Sequence, residues 1–286
     1  MPSNSTSIRS SSTGPVALEG LQPIGATHDD VRRYSRARRN VVPRSDLVTA
    51  VAGGWAHEVV LRSGAPVEVT LWCPGDRPHP DLEATAVRVA TRAPRAYRIS
   101  ERVLARLQPD AAAPALLSLV RLPRWDPGAV LTSDARLLLV ADGIEYAGNL
   151  GTLVRTADAC AADALVLTRA TARVTHPKAF VASRGTVLTM PVLTYASVAE
   201  ARSALVDAGF TAYVADPAGA TPYRMAGLGT GRTAVVVGSE GDGVSDEWRE
   251  GLTRVAIPMR GRADSLNVAA SAAVLLFEAR AALDET

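Results

Sequence analysis

The chain has little of what several broad classes of protein require. It holds only two cysteines, Cys73 and Cys160, far apart and outside any metal or redox motif. That argues against a disulfide framework and leaves reduced, buried thiols of a cytoplasmic protein as the expectation. The four histidines (His28, His57, His79 and His176) are equally scattered, so no metal site is expected. No apolar run is long enough to cross a bilayer, so no membrane partner is expected. The first 26 residues are rich in Ser, Gly and Pro and lack the apolar core of a signal peptide. Lysine is nearly missing: 30 of the 31 basic side chains are arginine. Codon bias in a GC-rich genome and selection for phosphate recognition explain that equally well.

What is present is a chain of 286 residues, 47% hydrophobic, long enough for one or two domains with a substantial core. The net charge of +2 conceals an asymmetry. Residues 1–130 carry 17 Arg against 12 acids, and the remainder carries 14 basic against 17 acidic residues. The positive end is therefore N-terminal, as in a nucleic-acid binder. Arg32, Arg33, Arg36, Arg38, Arg39 and Arg44 fall within thirteen residues. They form either a solvated helix face or a set of guanidinium forks for phosphate, and phosphate contact is the expectation.

Period and punctuation divide the chain into a tail over 1–28, expected to be disordered, an α/β domain over 29–122, a turn-rich linker over 123–134 and a second α/β domain over 135–286. In the first domain, spacing predicts a helix over Asp29–Arg39, helical segments at Leu47–Val51 and His57–Arg62, and strands at Val67–Trp72, Ala96–Ile99 and Ala115–Arg121. Helices are expected at Asp81–Thr91 and Glu101–Leu107. In the second, strands are expected at Arg136–Asp142, Ala164–Thr168, Val192–Thr194, Thr211–Ala215, Ala234–Val237 and Arg254–Ile257. Helices at Leu150–Ala161, His176–Val187, Ala199–Ala208 and Asn267–Arg280 intervene, giving a doubly wound parallel sheet. The last helix is apolar nearly all round and must be buried in a core or against a subunit.

Three polar, glycine-containing stretches sit where those strands end. The first is Gly148-Asn149-Leu-Gly151-Thr-Leu-Val-Arg155. The second is Gly238-Ser239-Glu240-Gly241-Asp-Gly243-Val-Ser245, and the third Ile257-Pro-Met259 followed by Ser265-Leu266-Asn267. In open α/β sheets ligands bind at that edge. A nicotinamide-binding fingerprint is absent, because the glycine cluster lies near the C-terminus rather than after the first strand.

In order and spacing these stretches resemble the three signature motifs of the SpoU/TrmH family of RNA ribose 2'-O-methyltransferases, over about Leu137–Ala282. The resemblance implies a SPOUT domain with a deep trefoil knot, a fold that pattern alone would not suggest. It implies S-adenosylmethionine as cofactor, held around Gly238, Ser239, Gly241, Ile257, Met259 and Leu266. Bare backbone at Gly238 and Gly241 would let the cofactor approach, and the three glycines of this stretch would equally let the loop cross itself in a tight turn. It further implies a catalytic set of Asn149, Arg155, Glu240, Ser265 and Asn267. Arg155 is always charged and would stabilise the developing alkoxide, while Asn149 would begin and cap its helix. One departure is Ala147, where the family usually has proline before the glycine.

Leu61–Leu71 is similar to the ribosomal-protein-L30e-like substrate domain found before many SpoU cores. With the Ala182-Ser183-Arg184-Gly185 segment, it resembles actinomycete self-resistance enzymes acting on 23S ribosomal RNA, the avilamycin type ahead of the thiostrepton or nosiheptide type. Arg184 is accordingly expected to touch RNA, and a homodimer is implied. A tRNA methyltransferase and a non-catalytic rRNA-binding protein remain as alternatives.

Overall fold

The computed structural model describes residues 16–285 except Pro78 and Glu240. Its N-terminal half contains β1 (Gln22–Pro23), α1 (Asp29–Arg38), β2 (Val48–Ala52), α2 (Gly54–Ser63) and β3 (Val67–Cys73), then α3 (Pro80–Arg92), β4 (Ala96–Arg98), α4 (Glu101–Leu107) and β5 (Ala115–Arg121). The sheet order is β1-β4-β3-β5-β2. β5 runs antiparallel to β2 and β3, while β1 and β4 are parallel additions. Three of the four histidines begin helices: the side chains of His28, His79 and His176 accept from Asp30, Leu82 and Lys178 N–H groups. The fourth, His57, is fully buried between the Gly53 carbonyl (2.7 Å) and the Ser118 hydroxyl (2.9 Å). Both thiols are buried, and burial pushes that of Cys73 up to about 11.

Three expectations are corrected here. Leu47–Val51 is not helical: Val48–Ala52 is a strand paired with β5. Val48, Thr49 and Val51 are β-branched, and burial of four successive residues erased the alternation that marks a half-buried strand. The expected disordered tail over 1–28 extends too far. Leu18–Gly20 forms one turn of 3-10 helix, buried Leu21 joins the core, and Gln22–Pro23 pairs with Tyr97 and Arg98. Residues 1–15 lie outside the described residues. The helix foreseen over His176–Val187 breaks after Ala182, because Arg184 (φ 54°) and Gly185 (φ 84°) turn left-handed. A Cβ at Gly185 would overlap Val59 of the N-terminal half, so the turn is where the two halves touch.

The C-terminal half comprises α5 (Pro127–Val130), β6 (Leu137–Asp142), α6 (Ala147–Ala159), β7 (Ala164–Thr168), α7 (Pro177–Ala182) and β8 (Val192–Thr194). It continues with α8 (Val198–Asp207), β9 (Thr211–Ala215), β10 (Thr221–Pro222), β11 (Thr233–Val237), α9 (Asp246–Arg249), β12 (Thr253–Ala256) and α10 (Val268–Asp284). All pairs of its sheet, ordered β10-β12-β9-β11-β6-β7-β8, are parallel. β6, β7 and β11 are buried along their whole lengths, as helices on both faces require. α10 packs on α6, β6 and β11, and its Arg280 guanidinium donates to the carbonyls of Cys160 (2.9 Å) and Ala161 (2.6 Å) at the end of α6. Gly151 is where α6 meets α7, since a Cβ there would lie 2.8 Å from that of Ala182.

The halves are not loosely tethered. One core cluster includes Val60 and Leu122 together with Leu139 and Phe180. Trp55 of α2 meets Phe180 of α7 edge-on at 6.2 Å, and the Arg184 guanidinium lies 4.1 Å above the Trp55 ring. Arg173 donates to the carbonyls of Val42 (2.7 Å) and Pro43 (2.8 Å), fastening the segment between α1 and β2 to the other half.

Candidate functional site

β6 and β11 are neighbours, yet their chains leave in opposite directions: β6 leads through α6 to β7, and β11 through α9 to β12. A crevice opens at such a switch point. The loop after β6 leads into the first glycine-containing motif, which lies in α6, and the loop after β11 is the second. The loop after β11 closes on itself, with Ser239 and Gly243 exchanging backbone hydrogen bonds of 3.2 and 3.0 Å. A Cβ at Gly238 would overlap the Gly243 carbonyl and the Val244 nitrogen. Of the two expected reasons for this glycine, the self-crossing of the loop is the one its surroundings show, and it holds before any ligand arrives. At Gly241, by contrast, an added Cβ would meet nothing within 4 Å.

A cavity of about 280 Å³ lies beside this loop. Gly238, Ser239, Gly241, Ile257, Met259 and Leu266 all line it, as does Ser265. The second and third motifs thus converge on one volume, and the first does not line it. Its walls combine apolar Val237, Val255 and Val268 with polar Asp216 and Asp264. Asp216 is 8% exposed and is held by Arg254 Nε at 3.0 Å and the Ala218 N–H at 2.9 Å, so its buried charge is compensated.

The remaining expected polar residues are placed differently. Asn267 is the N-cap of α10, its side-chain oxygen accepting from Ala269 N–H at 2.9 Å. Asn149 lies inside α6 rather than at its cap: the helix starts at Ala147 with Tyr146 as N-cap, so the expected capping role is corrected. Ala147 and Gly148 adopt helical geometry where a later start was expected. Arg155, two turns further along α6, is exposed and does not line the cavity. Glu240 lies outside the described residues.

A residue that the sequence did not single out joins the motif loops. Asp142 ends β6 and is fully buried. Its carboxylate accepts from the Thr168 hydroxyl (2.9 Å), from Arg169 Nη1 (3.3 Å) and from the backbone N–H of Ser245 (2.9 Å). Thr168 in turn accepts from the indole N–H of buried Trp248 at 3.1 Å. One carboxylate thereby ties the ends of β6 and β7 to the far end of the glycine loop. The signal in the sequence was an acid closing the otherwise apolar run Leu137–Ala141.

The arginine cluster divides. Arg32, Arg36 and Arg39 flank a groove between α1 and α4, with Ser35 and Arg106 beside them. Arg38 does not line it, and Arg184 sits apart, over Trp55. Arg33 is not available for RNA as expected: it donates to Glu68 (2.7 Å) and pairs with Asp30 (3.4 Å), which is 3% exposed. The hydrogen bond to Glu68 raises the Arg33 pKa. Burial pushes the Glu68 carboxyl up, but Arg33 and Arg121 outweigh it and hold it below its ordinary value. Asp30 also pairs with Arg95 (3.0 Å) and Glu68 with Arg121, so Arg33 belongs to a network of ion pairs that compensates both acids.

Comparison with known proteins falls on the same half of the chain. Residues 136–277 match the family model of the SpoU rRNA Methylase family. The 23S rRNA (guanosine-2'-O-)-methyltransferase RlmB of Haemophilus ducreyi is 34% identical over 143 residues, 50% of this chain and 58% of that protein. RlmP of Bacillus subtilis, a 23S rRNA (guanosine(2553)-2'-O)-methyltransferase, is 33% identical over 149 residues, 52% of this chain and 59% of that protein. The chain thus spans under three-fifths of the length of these relatives. Among solved structures, the SpoU methyltransferase AviRb from Streptomyces viridochromogenes with AdoMet is similar at 26% identity. Its TM-score is 0.74, covering 89% of this chain and 97% of that one. The second and third motifs line a cavity that lies within this match, and residues 136–277 of the chain match the SpoU rRNA Methylase family.

Proposed function

We propose that the protein transfers a methyl group from S-adenosylmethionine to a ribose 2'-hydroxyl of 23S ribosomal RNA. The observation that carries this is the convergence of Gly238, Ser239, Gly241, Ile257, Met259 and Leu266 on one cavity at the carboxyl edge of the sheet. The cofactor suits that cavity: apolar Val237, Ile257 and Leu266 offer faces to a purine, and Ser239, Ser265 and Asp216 offer polar groups. When bound, S-adenosylmethionine supplies an electrophilic methyl group on a positively charged sulfur. The protein then has to align the attacking oxygen and manage one proton. Arg155 stabilises negative charge as it develops on that oxygen, and its fork holds an adjoining phosphate. Asn149 and Glu240 orient these groups. Ser265 and the start of α10 at Asn267 face phosphate or substrate hydroxyls. Arg32, Arg36, Arg38 and Arg39 contact the RNA backbone, with Arg184 at the junction of the halves.

The finer reading is an enzyme that protects the ribosome against an antibiotic of the avilamycin type, as the Ala182–Gly185 segment suggests. We take the working form to be a homodimer with α10 threaded through the glycine loop as a trefoil knot. Phe277, half exposed on α10, supports a partner subunit there. Among the described residues no helix is long and apolar enough to cross a membrane. The test is methylation of 23S rRNA with labelled cofactor, followed by primer extension at limiting nucleotide concentration. A cofactor-dependent stop at one position is expected. Failure to bind the cofactor at about one site per subunit, or labelling of tRNA alone, overturns the proposal.

A further inference from the structure

A second cavity, of about 300 Å³, opens between the two halves of the chain. One wall comes from the N-terminal half and the crossing segment, including Leu47, Leu122 and the half-buried indole of Trp125. The other wall comes from Leu167 and Thr194 at the carboxyl ends of β7 and β8, with Val187 from the turn before β8. Apolar walls of this kind suit a flat, unsaturated ring.

The polar groups at the cavity are unusual. Arg44 and Arg124 line it, both exposed, and neither has an ion pair or hydrogen bond among the described residues. Arg173, which also lines it, spends its fork on the carbonyls of Val42 and Pro43, and these neutral partners leave its charge uncompensated. Burial and the like charge of Arg44 lower the Arg173 pKa, with Asp46 acting the other way. Thr175 completes the lining. It is 2% exposed, and its hydroxyl is buried without a hydrogen-bond partner. That hydroxyl is also out of reach from the cavity, so the residue contributes shape to the lining and no polar contact.

Apolar walls with an indole and two exposed, unpaired arginines together describe the chemistry of a nucleotide. A base can stack on the indole while its phosphate meets the guanidiniums of Arg44 and Arg124. We propose that this cleft between the halves binds one unstacked nucleotide of the substrate RNA, other than the one that is methylated. The inference rests on the RNA reading given above, and it adds a substrate-positioning site to it. Position supports it: the cleft and the cavity at the glycine loop lie on the same edge of one parallel sheet. β7 and β8 stand two and three strands from β11, on the order of 10–15 Å away. A nucleotide in the cleft would therefore be near in space to the reacting ribose, and the protein would hold it by its base and its phosphate.

The test uses the full chain and the four ribonucleoside 5'-monophosphates, titrated singly while tryptophan fluorescence is followed. Saturable quenching by at least one of them is expected, and it should vanish in Trp125→Phe, which identifies the reporter. Arg44→Ala combined with Arg124→Ala should weaken that binding by about tenfold or more, the loss expected for charged hydrogen bonds. None of these variants should change S-adenosylmethionine affinity in calorimetry. Absence of a saturable signal, a signal that survives Trp125→Phe, or equal affinities in the variants overturns the proposal. Because cofactor binding and nucleotide binding are measured separately, failure of the methyltransferase reading would show as lost cofactor binding with the cleft titration intact.

Discussion

Replacing Gly238 by alanine is the perturbation that best separates a structural cause from a ligand cause in the cofactor loop. The added methyl group would overlap backbone atoms of Gly243 and Val244, and neither can move aside as a flexible side chain could. The loop must open, which breaks the paired hydrogen bonds between Ser239 and Gly243 (3.2 and 3.0 Å). Those two bonds are worth roughly 1–3 kcal/mol together. Overpacking that is not relieved costs a similar amount, roughly 1–3 kcal/mol, so the closed loop should lose about 2–4 kcal/mol once partial relaxation is allowed. If only the closed loop binds S-adenosylmethionine, its dissociation constant should rise by roughly 30- to 1000-fold.

Gly241→Ala is the control, since a Cβ there would meet no protein atom within 4 Å. Any loss of affinity in that variant reports contact with the cofactor itself. The assay is calorimetric titration of both variants, with thermal melts to show that the sheet has folded. Affinity of Gly238→Ala within about threefold of the parent would refute the reasoning. So would an equal loss in both variants, because it would return the cause to the ligand.

Four further outcomes are expected. Arg155→Ala should bind S-adenosylmethionine normally yet transfer methyl groups slower by roughly two to three orders of magnitude in single-turnover assays with saturating RNA; an unchanged rate would make Arg155 structural. Arg36→Ala with Arg39→Ala should lower the salt dependence of RNA binding by about two phosphate contacts, whereas Arg33→Ala should lower the melting temperature; the reverse pattern would contradict the ion pairs of Arg33. Asp142→Ala should destabilise the protein by roughly 3 kcal/mol in denaturant unfolding, because it strands the Ser245 N–H and the buried Thr168 hydroxyl; a loss below about 0.5 kcal/mol would refute the hub. Burial lowers the His57 pKa from 6.5 to about 4, so the unfolded chain binds a proton that the folded one refuses. The associated stability is complete above about pH 6.5 and is lost as the pH falls towards 4; between pH 7 and 5 the parent should lose about 2 kcal/mol more than His57→Leu, and an equal loss would refute this.

Much of the fold was legible because most elements obey local rules. α4, β5, β7, β8 and β9 begin and end where the pattern of the sequence places them, each bounded by a cap or a turn. β2 was misread because its burial combines α1 and α2 of its own half with α7 of the other, and no local window contains all of that information. The same holds for Gly185. Its sequence neighbours announce a turn, but the atoms that forbid a side chain belong to Val59. In the candidate site, the residues lining the cavity were visible as glycine-containing motifs. The acids beneath them were not, because Asp142 and Asp216 act through partners 26 or more positions away.

Those hidden acids also explain why the motifs occur together. Loops after parallel strands are free to wander unless something fixes their far ends, and a ligand site at a switch point needs both loops fixed at once. Gly238 and the Ser239–Gly243 pairing fix the near end of the second loop from within. Asp142 fixes its far end at Ser245, and it is itself the last residue of the strand from which the first loop departs. The Thr168 hydroxyl and the Trp248 indole extend the same network to β7 and α9. The position of the glycine loop is thereby set by the strand that carries the Asn149–Arg155 helix. A change at Asp142 should therefore disturb the cofactor cavity, which contains no atom of that residue, as directly as a change in the loop itself.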